Sequence, residues 1–232
     1  VEGGVYTYDA SDWRRYVLGS RAHNVVLVDG LEQSRRKSAK ETYVMASPVP
    51  LAFETHETHD YAAATYDEGW GSNAVRVARH TRHIFFVKQP CLFVIADVLE
   101  PADDNAHTYE ALFHLDAEEV KVDGLSVDTQ NKGANLTLTA YGADDVAIVR
   151  GKKSPVVQGW LPDSSSGYGG IRPIPTAVYR KQGKGKTAVL YALIPRAAGA
   201  PAAAPVRQAR LSDGALAVTF ADGAEKSYRF GE

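Results

Sequence analysis

The chain has 232 residues, a net charge of −2 and a pI near 6.4, and this length can bury a sizeable core as one large domain or two small ones. The near balance of charge excludes a nucleic-acid binder that works through bulk electrostatics, so any site for a polyanion has to be local. The single cysteine, Cys91, excludes an intramolecular disulfide, and the apolar residues that follow it predict a buried structural thiol. No apolar run approaches the roughly 20 residues of a membrane helix. We therefore expect neither nucleic acid nor a membrane among the partners.

The first 30 residues combine aromatic and cationic side chains with one predicted strand. Residues 9–12 predict a turn or the start of a short helix. Residues 25–28 are mostly β-branched or apolar and end at an Asp-Gly turn, which predicts a strand. Arg21, His23 and Asn24 precede this strand. They either hydrogen-bond the loop that enters the strand or belong to a reactive site at its mouth.

A cationic stretch follows, in which Arg35, Arg36 and Lys37 lie close in sequence to His23. It is either a solvated loop or a contact for an anionic ligand. Residues 43–46 and 51–56 then predict short strands interrupted by prolines.

Strict alternation from Asn73 predicts a strand, because successive side chains of a strand point to opposite faces. One face would carry Arg76, His80 and Arg82, so several cationic groups should point the same way. Further short strands are predicted near residues 84–88, 91–98, 107–115, 118–122, 125–127, 136–139 and 146–149, with Asp-Gly turns at 123–124, 213–214 and 222–223. We therefore predict an all-β fold, a large antiparallel two-sheet sandwich in which residues 1–232 form one β-domain.

Several motifs occur in one order along the chain. They are Gly-Val-Tyr-Thr-Tyr-Asp at 4–9, Trp-Arg-Arg-Tyr at 13–16, Ala-His-Asn-Val at 22–25, Val-Asp-Gly at 28–30, His-Thr-Arg-His at 80–83, Phe-Val-Ile-Ala-Asp at 93–97, Phe-His-Leu at 113–115, Gly-Trp at 159–160 and Leu-Ile-Pro at 193–195. This order and spacing resemble the C-terminal β-domain of the heparinase II/III-like polysaccharide lyases, over essentially the whole chain. The motifs begin at Gly4 and Val1 is not an initiator methionine. We therefore expect a piece of a longer bacterial protein, periplasmic or secreted, whose N-terminal helical toroid is not part of the sequence.

The resemblance also implies a metal site. Some members of the family hold zinc in this domain with two histidines and a carboxylate, and the matching histidines here are His23 and His80. Glu41 is the best carboxylate candidate by its distance after His23, with Asp60 and Asp67 as rivals. Two imidazoles, one carboxylate and a water form an acceptable set of Zn²⁺ ligands. Neither a Cys-x-x-Cys nor a His-Glu-x-x-His motif supports the site independently.

The activity that the resemblance implies is β-elimination on a uronic-acid polysaccharide. The sugar carboxylate has to be neutralised so that the neighbouring proton becomes acidic, and a tyrosine or histidine then acts as base and acid. In the family these groups come mostly from the toroid, so this domain would supply one wall of the cleft. Several members have histidine at the position of Arg21, and this departure leaves the neutralising group open. Arg21 and Asn24 are the candidates for supporting the substrate carboxylate.

Substrate contacts are predicted at aromatic and cationic side chains, namely Tyr8, Arg14, Arg35, Arg36, Arg76, Arg82 and Trp160. The family name implies a heparin- or heparan-sulfate-like polymer, and alginate, hyaluronan and chondroitin stay open. The alternatives are a non-catalytic carbohydrate-binding sandwich, in which aromatic side chains stack on sugar rings, and a purely structural domain. His56 and His59 are predicted to be surface groups, and His114 a hydrogen-bonded residue within a sheet.

Overall fold

The computed structural model describes residues 1–4, 6–34, 51–163, 165, 167–201 and 205–231. The described residues contain one α-helix, α1 (Asp12–Leu18), and a 3₁₀ turn at Ser20–Ala22 that leads into the first strand. The strands are β1 (Val26–Val28), β2 (Ala52–Thr55), β3 (His59–Tyr66), β4 (Ala78–Val87), β5 (Leu92–Pro101), β6 (Ala106–His114), β7 (Val120–Asp123), β8 (Ser126–Thr129), β9 (Asn135–Tyr141), β10 (Asp145–Val149), β11 (Trp160–Pro162), β12 (Ile171–Pro173), β13 (Thr176–Lys184), β14 (Thr187–Arg196), β15 (Val206–Ser212), β16 (Ala215–Phe220) and β17 (Glu225–Arg229).

Two antiparallel sheets form the sandwich. The larger has eight strands in the order β2-β3-β4-β5-β14-β9-β8-β7, and the smaller has four in the order β1-β6-β13-β10. Apolar side chains from both sheets meet in one core that includes Val28, Tyr109, Leu138, Tyr179 and Tyr191. The prediction of an all-β, antiparallel sandwich is confirmed.

A third sheet, β15-β16-β17, covers the opposite face of the eight-stranded sheet and was not predicted as a separate layer. Its Val218 and Phe220 pack with Phe85, Val94 and Leu190 in a second core. Strands β5 and β14 therefore bury residues on both faces over much of their length, which explains their mostly apolar sequence. Among the described residues, no helix is long and apolar enough to cross a membrane.

The predicted strand from Asn73 begins later than expected. Strand β4 starts at Ala78, because Ala74 has a φ of +50° and the preceding residues form turns and the isolated Trp70–Val75 bridge. His80 and Arg82 do lie on one face of β4, whereas Arg76 is exposed in the segment before the strand. The strand predicted at residues 43–46 lies outside the described residues.

Two predictions about single residues are wrong. Cys91 is exposed, because the turn between β4 and β5 ends at this residue and the apolar strand starts only at Leu92. His59 is buried because it begins β3, a strand that we did not predict, and its ring packs between His56 and Tyr228. Its Nε2 lies 2.8 Å from the carbonyl oxygen of Arg229, so it joins the third sheet to the large one.

Candidate functional site

Local sequence explains why Arg21, His23 and Asn24 lie together at the head of β1. The hydroxyl of Ser11 caps α1 by accepting a hydrogen bond from the N–H of Arg14. The helix ends at Gly19, and the 3₁₀ turn then directs the chain into β1. Because Val26 and Val28 bury their side chains in the sandwich core, the polar residues before them are held at the rim of the small sheet.

His23 contacts a carboxylate that the sequence did not single out. Its Nδ1 lies 2.6 Å from Oε2 of Glu2, and its Nε2 lies 3.0 Å from the carbonyl oxygen of Val17. The ring also lines an open cleft of about 630 Å³, whose wall includes Glu32 and Tyr66. An imidazole and a carboxylate in direct contact beside a cleft can exchange a proton or bind a cation.

Asn24 connects four parts of the chain. Its backbone N–H donates to Oε1 of Glu2 at 3.0 Å, and its side-chain amide donates to the carbonyl oxygen of Val1 at 2.9 Å. Its Oδ1 accepts from the N–H of His114 at 2.7 Å, and its own carbonyl oxygen accepts from the guanidinium of Arg82. All the polar groups of Asn24 thus have protein partners, which fixes the orientation of its amide.

Arg82, Asp97 and His80 form a buried ionic group beneath Asn24. Arg82 contacts both carboxylate oxygens of Asp97, at 2.7 and 2.8 Å, and Nε2 of His80 lies 2.8 Å from Oδ1. Burial alone would raise the pKa of Asp97, but the charges of Arg82 and His80 outweigh it and hold the pKa far below its usual range. In the same way, burial would lower the pKa of Arg82, and the attraction of Asp97 raises it. Asp97 is therefore an anion that keeps Arg82 charged and in place.

His114 and Gln158 support the site from behind. Nε2 of His114 lies 2.9 Å from the carbonyl oxygen of Arg21, which also accepts from the amide of Gln158 at 2.8 Å. Burial lowers the pKa of His114 to about 4, so its imidazole is neutral at physiological pH. The Arg21 side chain points elsewhere, donating to the carbonyl oxygen of Gly30 at 3.0 Å and facing Glu32 at 3.5 Å.

The structure joins some of the predicted site residues and separates others. His23, Asn24, Arg82 and His80 belong to one connected network that runs through Glu2 and Asp97. Glu41, Arg35 and Arg36 lie outside the described residues, so their predicted roles are not tested. Arg82 is compensated by Asp97, and its predicted substrate contact stays a prediction.

The predicted aromatic contacts lie at the N-terminal end of the domain. Tyr8 is 79% exposed, with the guanidinium carbon of Arg14 5.1 Å from its ring centroid, and its N–H donates to the hydroxyl of the equally exposed Tyr168. Trp160 is half-buried and packs 4.9 Å from Trp13. The predicted roles of Tyr8, Arg14, Arg76 and Trp160 in binding substrate remain predictions.

The described residues do not complete a metal site. Among them, no group of three or more His, Cys, Asp or Glu side chains is arranged to hold a metal ion. Nε2 of His80 is hydrogen-bonded to Asp97, which is how a carboxylate commonly orients a metal-binding imidazole, whereas both ring nitrogens of His23 have partners, Glu2 and the carbonyl oxygen of Val17. A metal at His23 would have to displace one of these contacts, and the zinc site at His23 and His80 stays a prediction.

Sequence reasoning missed Glu2 and Asp97. Asp97 had a recognisable signal, since it is the one charged residue in the apolar stretch 92–99 and a buried charge needs a partner. Glu2 had none, because its contact with His23 depends on how the first residues fold back along the head of β1.

Comparison with known proteins agrees with this architecture. The family model described as "Heparinase II/III-like, C-terminal" matches residues 1–192. A heparan sulfate lyase (HepC mutant) from Pedobacter heparinus has a similar fold, with a TM-score of 0.71 and 16% identity over 99% of this chain and 34% of that chain. A heparinase III gene product, BT4657, has a TM-score of 0.69 and 14% identity, over 99% of this chain and 34% of that chain. Another heparinase III structure has a TM-score of 0.66 and 15% identity, over 98% of this chain and 33% of that chain.

These solved structures establish likeness of fold, and this chain spans about a third of their length. A search of curated protein sequences found no match. The family model, by contrast, covers well over half of the chain and ends within β14, before the third sheet. The chain therefore belongs to the heparinase II/III-like C-terminal family.

Proposed function

We propose that this chain is the C-terminal domain of a polysaccharide lyase that cleaves a uronic-acid-containing polysaccharide by β-elimination, and that it forms one wall of the substrate cleft. Family membership supports the lyase class. The structural observation that supports the role as a cleft wall is the hydrogen-bond network of Glu2, His23, Asn24 and Arg82. This network holds an imidazole at an open cleft in a fixed orientation. Heparan sulfate is the first substrate to test, because the similar structures are named for it. We expect the parent protein in the bacterial periplasm or outside the cell.

The proposed role of this wall is to orient and neutralise the substrate. His23, beside its carboxylate partner, can hold or transfer a proton at the cleft, and Arg21 on the same segment carries a permanent positive charge. The remaining groups, including the base, would come from the N-terminal part of the parent protein. Proximity contributes about 7–11 kcal/mol to well-aligned reactions, so a separated wall should be inactive.

The experiment compares the parent protein and the 232-residue chain on heparan sulfate, alginate, hyaluronan and chondroitin, following absorbance of the unsaturated uronate. We expect turnover by the parent on at least one polymer and none by the chain alone. His23→Ala in the parent should reduce kcat/KM by about 100-fold or more. The control is His56→Gln, at a histidine that pairs with Glu54 beside the third sheet and should leave activity unchanged. A parent inactive on all four polymers would overturn the proposal.

We further propose that zinc binds at His23 and His80 with a carboxylate, as predicted from the sequence. The contact of His80 with Asp97 supports this, because a carboxylate of this kind orients a metal-binding imidazole. Bound there, zinc would join the head of β1 to β4 and act as a Lewis acid. After dialysis against zinc, the parent should retain about one equivalent, which His23→Ala and His80→Gln should lose and Glu2→Gln should keep. Retention with His80→Gln and loss with Glu2→Gln would instead assign the metal to the contact between His23 and Glu2.

The second candidate is a carbohydrate-binding domain, favoured by the exposed side chains of Tyr8 and Tyr168, which lie next to each other. Exposed aromatic rings can stack on sugars whether or not the protein is an enzyme. Titration of the isolated chain with neutral and anionic oligosaccharides separates the two. This candidate would be favoured if the chain binds both kinds of oligosaccharide, if Tyr8→Ala and Tyr168→Ala abolish that binding, and if the parent has no lyase activity.

A further inference from the structure

The face of the eight-stranded sheet that looks toward the small sheet is only half covered by the described residues. Directly paired residues of an antiparallel sheet point to the same face, and pairing places Phe53, Ala62, Ile84, Ile95 and Tyr191 in one row across five strands. At one end of the row Tyr191 is 2% exposed under the small sheet, whereas Ile84 is 36% and Phe53 71% exposed. The small sheet therefore covers the row at Tyr191 but not at Ile84 and Phe53.

A second apolar row lies beside the first. Phe86 pairs with Phe93, their ring centroids are 4.9 Å apart, and Phe93 is 38% exposed. Residues two apart on a strand share a face, so Phe86 is the neighbour of Ile84 and Phe93 that of Ile95. We call Phe53, Ile84, Phe86, Phe93 and Ile95 the open half-face. The described residues leave this contiguous apolar surface partly uncovered, which is rare in soluble domains and marks it as an interaction surface.

The border of this surface lies next to the first residues of the chain. Arg82 precedes Ile84 by two positions on the same face, and its guanidinium contacts the carbonyl oxygen of Asn24. The side-chain amide of Asn24 in turn donates to the carbonyl oxygen of Val1. A polypeptide joined to Val1 would thus begin at the edge of the open half-face.

Similar proteins contain additional chain that could occupy this location. The solved structures that cover 99% of this chain are about three times as long, because it covers only 34% of them, and the family is defined as C-terminal. We propose that the open half-face is the docking surface for the N-terminal part of the parent protein. The inference rests on the proposed function only in assuming such a parent, and it assigns the surface through which the two parts meet.

The test measures thiol accessibility in a Cys91→Ser background, since Cys91 is exposed beside the surface. Single cysteines are placed on the open half-face with Ile84→Cys and Phe93→Cys. The control is Val122→Cys, at a position of similar exposure (43%) in β7, which lies at the opposite edge of the eight-stranded sheet from β2. Each variant is made in the 232-residue chain and in the parent protein, and labelling with a maleimide is followed by mass spectrometry.

We expect all three thiols to react at similar rates in the chain alone. In the parent, labelling at positions 84 and 93 should slow at least tenfold, while labelling at 122 changes less than threefold. Equal rates in both proteins would overturn the proposal. Slow labelling already in the chain alone would overturn it as well, assigning the surface to a second copy if sedimentation shows a dimer and to cover by this chain itself if it shows a monomer.

The labelling experiment needs no substrate, so its result does not depend on whether the proposed lyase function is correct. A parent that protects positions 84 and 93 but cleaves none of the four polymers would keep the docking surface and refute the lyase. An active parent with both thiols freely reactive would keep the lyase and refute the docking surface.

Discussion

Two buried histidines show how partners decide the charge of a side chain. Hydrogen bonds from His107 to Asp29, at 2.7 Å, and to Asp103, at 3.0 Å, raise its pKa despite burial. Burial lowers the pKa of His114 to about 4, because its partners are backbone and side-chain amides and carbonyl oxygens. The two residues therefore have opposite effects on stability as the pH changes. His107 stabilises the fold below its unfolded pKa and loses that effect as the pH rises through its folded pKa.

The first prediction concerns His114. In the unfolded chain its imidazole takes up a proton near pH 6.5, whereas in the folded chain it does so only near pH 4. The unfolded state therefore binds more protons in this window, and stability falls as the pH drops from 6.5 to 4. The contribution is on the order of 3 kcal/mol across the window. His114→Gln, which does not titrate, should show a free energy of unfolding that depends less on pH by this amount.

The measurement is urea unfolding of both proteins at several pH values between 4 and 7. The comparison between the two proteins removes the common effect of the carboxylates. Identical pH dependence would show that the pKa of His114 is the same in the folded and unfolded states, and its role behind Arg21 would need revision.

At the scale of secondary structure, the sequence predicts on which face of a strand a residue lies better than it predicts which residue on the neighbouring strand it contacts. Alternation placed His80 and Arg82 on one face of β4, and Asp-Gly turns marked the hairpin between β7 and β8. The pairing of Arg82 with Asp97 depends on the register of β4 against β5, which a period of two residues does not fix. Strand β3 was missed because His59 and Asp60 at its start resemble a loop.

The second prediction concerns this ion pair. The carboxyl group of Asp97 is almost fully buried, so Asp97→Ala leaves Arg82 without its counter-ion and should cost about 3–5 kcal/mol. The control Asp116→Ala breaks an exposed ion pair with Arg172 and should cost at most about 1 kcal/mol. Both values come from thermal or urea unfolding.

A double variant separates loss of the pair from loss of packing. Arg82→Met with Asp97→Leu removes both charges at similar volume and should recover most of the stability lost in Asp97→Ala. It should nevertheless reduce the lyase activity that we propose for the parent, because the carbonyl oxygen of Asn24 loses its partner. A double variant as unstable as Asp97→Ala would show that the ionic group is needed for folding itself.

At the scale of the whole molecule, the eight-stranded sheet is the middle layer and depends on a cover on each face. The small sheet covers one face in part, and the C-terminal sheet covers the other over Phe85, Val94 and Leu190. Composition and turn spacing were sufficient to predict stacked sheets. They were insufficient to predict the third layer, because β15–β17 have the same turn signals as strands that extend an existing sheet.

The last prediction concerns that third layer, which the family model does not include. A chain ending at Arg196 keeps all strands of the sandwich but exposes Phe85, Val94 and Leu190, each of which gains about 1.5–3 kcal/mol from burial. We expect this truncated chain to bind a hydrophobic dye and to self-associate, because a contiguous apolar face is left open. The control Leu216→Ala keeps the third sheet and only loosens its packing, at a cost of about 2–5 kcal/mol, and should remain monomeric. Size-exclusion chromatography and dye fluorescence distinguish the two variants. A truncated chain that is monomeric and melts like the intact one would show that the third sheet is an appendage, and that the sandwich is stable with one face of its large sheet uncovered.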